Sequence, residues 1–302
     1  MLNDLHEVAG RRGLELHPDK TVIMSNLSER RARQATKSVT VGDQPVKVIP
    51  DCDATKYLGR KLTFDDHHTA EIDNRIATAW RKFNALRDEL TNKRYPLNAR
   101  VRLFNTTITP TVLYGSTSWT TTKTTTTKLQ RTQRRMLRLI VGTPRRRYTT
   151  STHSCDHHDT INDPTAEPWP TYIKRATRIA ERQLHNLNFE CWITTYWRRK
   201  WKWAARVATQ DHSRWSRRSI HWQPQYTDRR YTIRRQARPY TRWDDTINAF
   251  LRSLPQFPNS PQWTQLATDA TTWKSLEDQF VEFAIAPTPT TTTIASPAGG
   301  PI

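Results

Sequence analysis

Apolar residues recur every three or four positions through most of this chain and alternate only near its amino end. Ile72, Ile76, Trp80, Phe83, Leu86 and Leu90 fall on one face of a helix. Val101, Phe104 and Ile108 do the same over about 97–109, where Pro110 is expected to end or kink the helix. A third helix is predicted over about 128–141, with Leu129, Met136, Leu137 and Ile140 inward and Arg131, Arg134, Arg135 and Arg138 largely on the other side. The Thr-rich stretch Thr120–Thr127 before it reads as a loop, because Thr is a poor helix former. Leu2, Leu5 and Val8, spaced by three, predict an amphipathic helix over 1–12.

Between that first helix and residue 63 the period changes. Leu14 and Leu16 alternate, Pro18-Asp19 marks a turn, and Thr21–Met24 reads as a short buried strand. Val39 and Val41, the Gly42-Asp43 turn signal, and then Val46, Val48 and Ile49 predict a small antiparallel sheet over 38–63. Four prolines (Pro144, Pro164, Pro168 and Pro170) break the pattern over 143–170, which reads as a linker. A second helical region follows over 171–283, and the Pro/Thr-rich tail, 284–302, is expected to be disordered. The pattern therefore predicts a mainly α chain with a small antiparallel β element near the amino terminus.

Charge adds a partner class. The chain has 302 residues, with Lys+Arg 48 against Asp+Glu 28, a net charge of +20. Such an excess opposes compaction unless an anion offsets it, and nucleic acid is the usual anion. The 12 tryptophans argue for packed structure, since disordered chains are poor in aromatics. Cys52, Cys155 and Cys191 form no disulfide framework, which fits a reducing compartment. No apolar run reaches the roughly 20 residues of a membrane span, and residues 1–5 do not read as a secretory signal. A nuclear or cytoplasmic location is expected, with no membrane partner.

The charge is concentrated. Residues 171–245 carry 18 Lys/Arg against 6 Asp/Glu, interleaved with Trp192, Trp197, Trp201, Trp203, Trp215, Trp222 and Trp243. Cations on phosphates and aromatics against bases hold single strands, and Arg198, Arg199, Lys200 and Lys202 are candidates for such contacts. The alternative is that most of these tryptophans are core: Trp197 and Trp201, four apart, share a helix face. Arg131, Arg134, Arg135, Arg138, Arg145, Arg146 and Arg147 form a second candidate group for phosphates.

The order of several short motifs carries a resemblance. Gly13-Leu14-Glu15-Leu16-His17-Pro18-Asp19-Lys20-Thr21 resembles motif D of the reverse transcriptases of non-LTR retrotransposons, the long interspersed elements. Lys56-Tyr57-Leu58-Gly59 resembles their motif E, the primer grip. Glu71-Ile72 with Arg75-Ile76, Val112-Leu113-Tyr114-Gly115 with Trp119, and Gln133–Arg138 with Gly142 look like the thumb. Trp203-Ala204, Arg214-Trp215, Arg238-Pro239, Arg242–Asp245, Trp273 and Glu277 look like the carboxy-terminal region of the same proteins. The resemblance covers about 14–283. It implies a palm remnant over 1–63, a helical thumb over 64–142 and a helical carboxy-terminal region. It also implies RNA and DNA, as template–primer, for partners. Lys20 takes the place of the motif D lysine, thought to protonate the departing pyrophosphate; Lys suits this because its surroundings tune its proton.

The same resemblance removes the chemistry. The family transfers nucleotides with two Mg²⁺ ions about 3.5–4 Å apart, held by carboxylates, and those carboxylates lie upstream of motif D. Phe64-Asp65-Asp66 and Trp243-Asp244-Asp245 read instead as helix starts, where Asp offsets the helix dipole. His153, Cys155, His157 and His158 are too crowded for the paired, spaced ligands of a zinc site. No cofactor and no metal is therefore expected for this chain. Three functions remain: a truncated reverse transcriptase inactive alone, an RNA- or DNA-binding module, or part of a polymerase completed by a separate upstream chain.

Overall fold

Helix α2, His67–Ala85, starts where Asp66 accepts a hydrogen bond from the Thr69 amide at 3.1 Å, an N-cap that satisfies one of the helix's orphan donors. Ile72, Ala79 and Phe83 point inward from it and are fully buried. The computed structural model describes residues 2–17, 19–24, 38–42, 44–49, 54–63, 66–147, 166–221, 242–257 and 261–286. The chain divides into two units, 1–192 and 193–302, and most of the described residues are helical.

In the first unit, α2 is followed by α3 (Arg87–Thr91), α4 (Leu97–Val112), a 3₁₀ turn at Ser116–Ser118, α5 (Lys123–Val141) and α6 (Trp169–His185). Helices α4 and α5 pack on α2 and on each other, and α6 packs on α5. Leu90, Val101, Phe104, Ile108, Leu129, Met136 and Ile140 fill the core, as their spacing predicts. Helix α4 runs through Pro110 and ends two residues later, so the proline sits in its last turn. Only Thr120–Thr122 of the Thr-rich stretch are a loop: α5 begins at Lys123. Thr122 and Thr125 form a reciprocal capping box, Thr125 is buried, and the Thr126 and Thr127 hydroxyls donate to the carbonyls of Thr122 and Lys123 at 3.1 and 2.8 Å. Caps and tertiary burial here outweigh the weak propensity of Thr.

Amino-terminal to α2 lie α1 (Leu2–Gly10) and strands β1 (Val22–Met24), β2 (Ser38–Val41), β3 (Gln44–Ile49), β4 (Thr55–Tyr57) and β5 (Arg60–Leu62). They make two sheets rather than one. β4 and β5 form an antiparallel hairpin, while β1, β3 and β2 form a sheet in that order. β2 is antiparallel to β3, as expected, but β1 is parallel to it, with Ile23 opposite Val48. The face of α1 is not buried as its spacing suggests, since Leu5 and Val8 are exposed.

The expected linker is ordered at both described ends. Arg147 bridges to Ala166, and the buried Glu167 accepts from Arg175 at 2.6 Å and from the Arg146 amide at 3.3 Å. Tyr172 donates to the Thr143 carbonyl at 3.0 Å. The sequence pattern missed this because one buried carboxylate, not an apolar face, joins the segments.

The second unit holds most of α7 (Trp192–Ala208), then α8 (Trp215–His221), α9 (Asp245–Ser253), α10 (Trp263–Leu266), α11 (Ala270–Ser275) and α12 (Glu277–Ile285). Its centre is aromatic. Trp201 stacks on Trp273 with centroids 3.7 Å apart, and Phe280 and Phe250 pack around Trp201 at 4.5 and 5.7 Å.

Candidate nucleic-acid interface

The hairpin that carries Lys56–Gly59 is held from below. Its two-residue loop, Leu58-Gly59, has positive φ at both positions, +47° and +78°, the backbone of the tight I′ hairpin turn. Gly adopts this freely, whereas Leu does so at a cost. Under the loop, Glu71 is fully buried and Arg75 nearly so. Arg75 Nε donates to Glu71 at 2.7 Å, and Arg75 Nη2 donates to the Gly59 carbonyl. The other Glu71 oxygen accepts from the Lys61 amide at 2.7 Å. The Arg75 guanidinium also lies 4.6 Å from the Tyr114 ring, and the Tyr114 hydroxyl donates to the Leu58 carbonyl at 3.1 Å. One ion pair and one tyrosine from distant parts of the chain thus fix a turn whose tip, Tyr57 and Leu58, is 62% and 73% exposed. Lys56 is exposed beside it.

Helix α5 presents the arginines that its pattern predicts outside. Arg131, Arg134 and Arg135 are exposed and Arg138 is half-buried. Arg135 lies over the Trp80 ring at 5.2 Å. Arg134 pairs with Glu181 of α6 at 3.0 Å, and Arg138 donates to the Thr177 hydroxyl of α6 at 3.0 Å. Burial lowers the affinity of Arg138 for its proton, and the like charges of Arg135 and Arg134 act in the same direction. Arg145 donates to the Glu167 carbonyl at 2.6 Å, and Arg146 and Arg147 are exposed. Lys20 lies in an exposed turn closed by its own amide to the His17 carbonyl at 3.1 Å.

In the second unit the candidates part company. Arg198 pairs with Glu277 and Asp278 at 3.3 and 2.8 Å, and Lys202 with Glu277 at 3.3 Å. Arg199 is half-buried. Lys200, expected on phosphate, is 1% exposed, and its ammonium lies 5.0–5.9 Å from the rings of Tyr196, Trp197 and Trp243. Burial lowers its pKa to about 7 against the opposing pull of Asp244 and Asp245. The run of basic residues concealed a helix period that turns Lys200 inward with Trp197 and Trp201. Those two and Trp192 are core, while Trp215 is 80% exposed.

The aspartate pairs have structural work. Asp66 caps α2. Asp244 accepts from the Trp263 indole and from Asn248, each at 3.1 Å, and Asp245 accepts from the Arg242 amide at 2.6 Å. Phe64, Asp65, Trp222 and the His153–His158 cluster lie outside the described residues. Among the described residues, no three His, Cys, Asp or Glu side chains group as metal ligands, and no helix is long and apolar enough to cross a membrane.

One exposed aromatic escaped the sequence reading. Trp169 is 60% exposed and lies beside Tyr172, with ring centroids 5.3 Å apart. Pro168-Trp169-Pro170 was legible only as a break in the pattern, although proline at a first turn is also a helix-start signal.

No family model matches the chain, and no solved structure matches it. It is similar to an uncharacterized transposon-derived protein of Caenorhabditis elegans, 26% identical over 278 residues, a match that takes in 90% of this chain and 86% of that protein.

Proposed function

We propose that the chain derives from a transposable element and is the nucleic-acid-holding part of a retrotransposon reverse transcriptase, binding template–primer rather than performing the transfer itself. The origin is supported by the likeness to a transposon-derived protein along nearly the whole of both chains. The finer assignment rests on the order of motifs and on how their residues meet. Glu71, Arg75, Tyr114 and the Tyr57–Gly59 turn are separate fragments in the sequence and one hydrogen-bonded unit in space.

The observation that carries binding is the outer face of α5, where Arg131, Arg134 and Arg135 project to solvent on a chain of net charge +20. Arginines three and four apart line one side of a helix and can follow a phosphate backbone without reading bases. The exposed hairpin tip would contribute Tyr57 and Leu58 as an apolar contact, held rigid by the buried pair beneath it.

The test is the salt dependence of binding to an RNA–DNA hybrid duplex. Each phosphate neutralised contributes about −0.9 to the slope of log K against log salt. A steep negative slope is expected from the full chain. No binding, or binding insensitive to salt, overturns the reading.

A further inference from the structure

Among the described tryptophans most are packed, and Trp169 is one of the two that are exposed. An indole left in water forgoes the stabilisation of burial, yet this one is held in place. Pro168 and Pro170 flank it and fix the backbone on either side. The turn behind it is pinned by the Tyr172 hydroxyl on the Thr143 carbonyl and by Arg175 on the Pro144 carbonyl, at 3.0 and 2.9 Å. The Tyr172 ring supports the indole from one side, tilted by 44°. The Arg145 guanidinium lies 6.0 Å from the indole centroid; Arg146, next to Arg145 in the chain, and Lys174, five residues after Trp169, are exposed.

Its position on α6 links it to the arginine face. Residues 169, 173, 177 and 181 are spaced by four and share one stripe of the helix. Thr177 and Glu181 are the residues that meet Arg138 and Arg134 of α5. Trp169 lies eight residues up that stripe from Thr177 and twelve from Glu181, about 12 and about 18 Å at the rise of an α-helix. A polyanion lying along the arginines would pass within reach of an exposed aromatic ring that has a cation beside it.

We infer that Trp169, backed by Tyr172 and flanked by Arg145, is a stacking site for an unpaired nucleobase of single-stranded RNA or DNA. The inference rests on the proposed binding at the α5 face and extends it from duplex backbone to a base. Stacking tolerates any sequence, because every base has a π-face. A rigid ring costs little entropy to engage.

The experiment uses the full chain and two single-stranded oligonucleotides of equal length, one intact and one with abasic sites. Binding is followed by the anisotropy of a dye on the oligonucleotide. Trp169→Ala should weaken binding of the intact strand by about 5- to 150-fold, the range seen for loss of one base–aromatic stack, and leave the abasic strand unchanged. Trp169→Phe, which keeps a ring, should retain most of the affinity, and it serves also if the alanine variant folds poorly. Equal loss for both strands, or no loss for either, overturns the stacking site while leaving the arginine face intact. Failure of the unaltered chain to bind either strand or the duplex overturns the arginine face, and the stacking site with it.

Discussion

The indoles of Trp201 and Trp273 stack with centroids 3.7 Å apart, and each donates its N–H to the other's backbone carbonyl, at 2.9 and 3.1 Å. Both side chains are buried. Each tryptophan therefore fills the core and donates to a carbonyl 72 residues away, which joins α7 to α11 by packing and hydrogen bonding at once.

Trp273→Phe should cost more than the lost area. It removes the donor that reaches the Trp201 carbonyl, which then keeps only its place in the helix ladder of α7, a further loss of about 0.5–1.5 kcal/mol. Trp273→Ala adds a cavity and should cost about 3–5 kcal/mol. Urea unfolding of the two variants and of Trp201→Phe checks this, and the double Phe variant should show coupling between the two sites. Simple additivity would mean that the two hydrogen bonds act independently.

Lys200 should make the stability of the chain depend on pH in a window where lysine is normally silent. Its folded-state pKa is lowered from 10.5 to about 7, because burial outweighs the nearby aspartates. The unfolded chain then binds more protons between those two values, so this group makes stability rise with pH there, by at most about 1.4 kcal/mol per pH unit. Lys200→Met keeps the volume and removes the titration. The variant should be more stable than the unaltered chain at pH 6–7, and the gap should narrow steadily toward about pH 10. A gap independent of pH would show that the ammonium is not penalised by its site.

Glu71→Ala should loosen the hairpin. It strands the Arg75 guanidinium and the Lys61 amide in a buried site, and breaking such a pair from one side costs about 3–5 kcal/mol. Replacing Glu71 and Arg75 together by apolar residues of similar volume should cost less than Glu71→Ala alone, since no charge is then left unpaired. Tyr114→Phe keeps the ring against Arg75 but loses the bond to Leu58, for about 0.5–1.5 kcal/mol. Chemical unfolding gives the order, and hydrogen exchange at the Lys61 amide reports whether the hairpin opens first.

How far the sequence reached follows from which interactions have a period. The inward faces of α2, α4 and α5 were legible because burial on a helix repeats every three or four residues. So were Asp66 and Asp245 as helix starts. Individual polar contacts were not legible. Nothing in the spacing says that Glu167 is the buried hub joining Arg146 to Arg175, or that Thr122 and Thr125 cap a helix through a threonine tract. At the candidate site, composition located the arginines of α5 but misjudged Lys200, because a run of charges hides which of its members faces the core. Trp169 was passed over because its flanking prolines read as a break.

Glu181 pairs with Arg134 at 3.0 Å, with both side chains about half exposed. Exposed pairs of this kind add little to stability, about 0–1 kcal/mol, so Glu181→Gln should unfold almost as the unaltered chain does. Its effect on binding has the opposite sign from that of most surface substitutions. The carboxylate repels a phosphate backbone and holds Arg134 toward α6. Removing its charge should tighten duplex binding at low salt and steepen the salt slope by up to about one phosphate contact. Arg131→Gln and Arg135→Gln should each weaken binding and flatten the slope by about 1. A duplex docked on the outer face of α5 requires these opposite signs from neighbouring residues. If Glu181→Gln leaves affinity unchanged while the arginine variants weaken it, the strand passes α5 on the side away from α6.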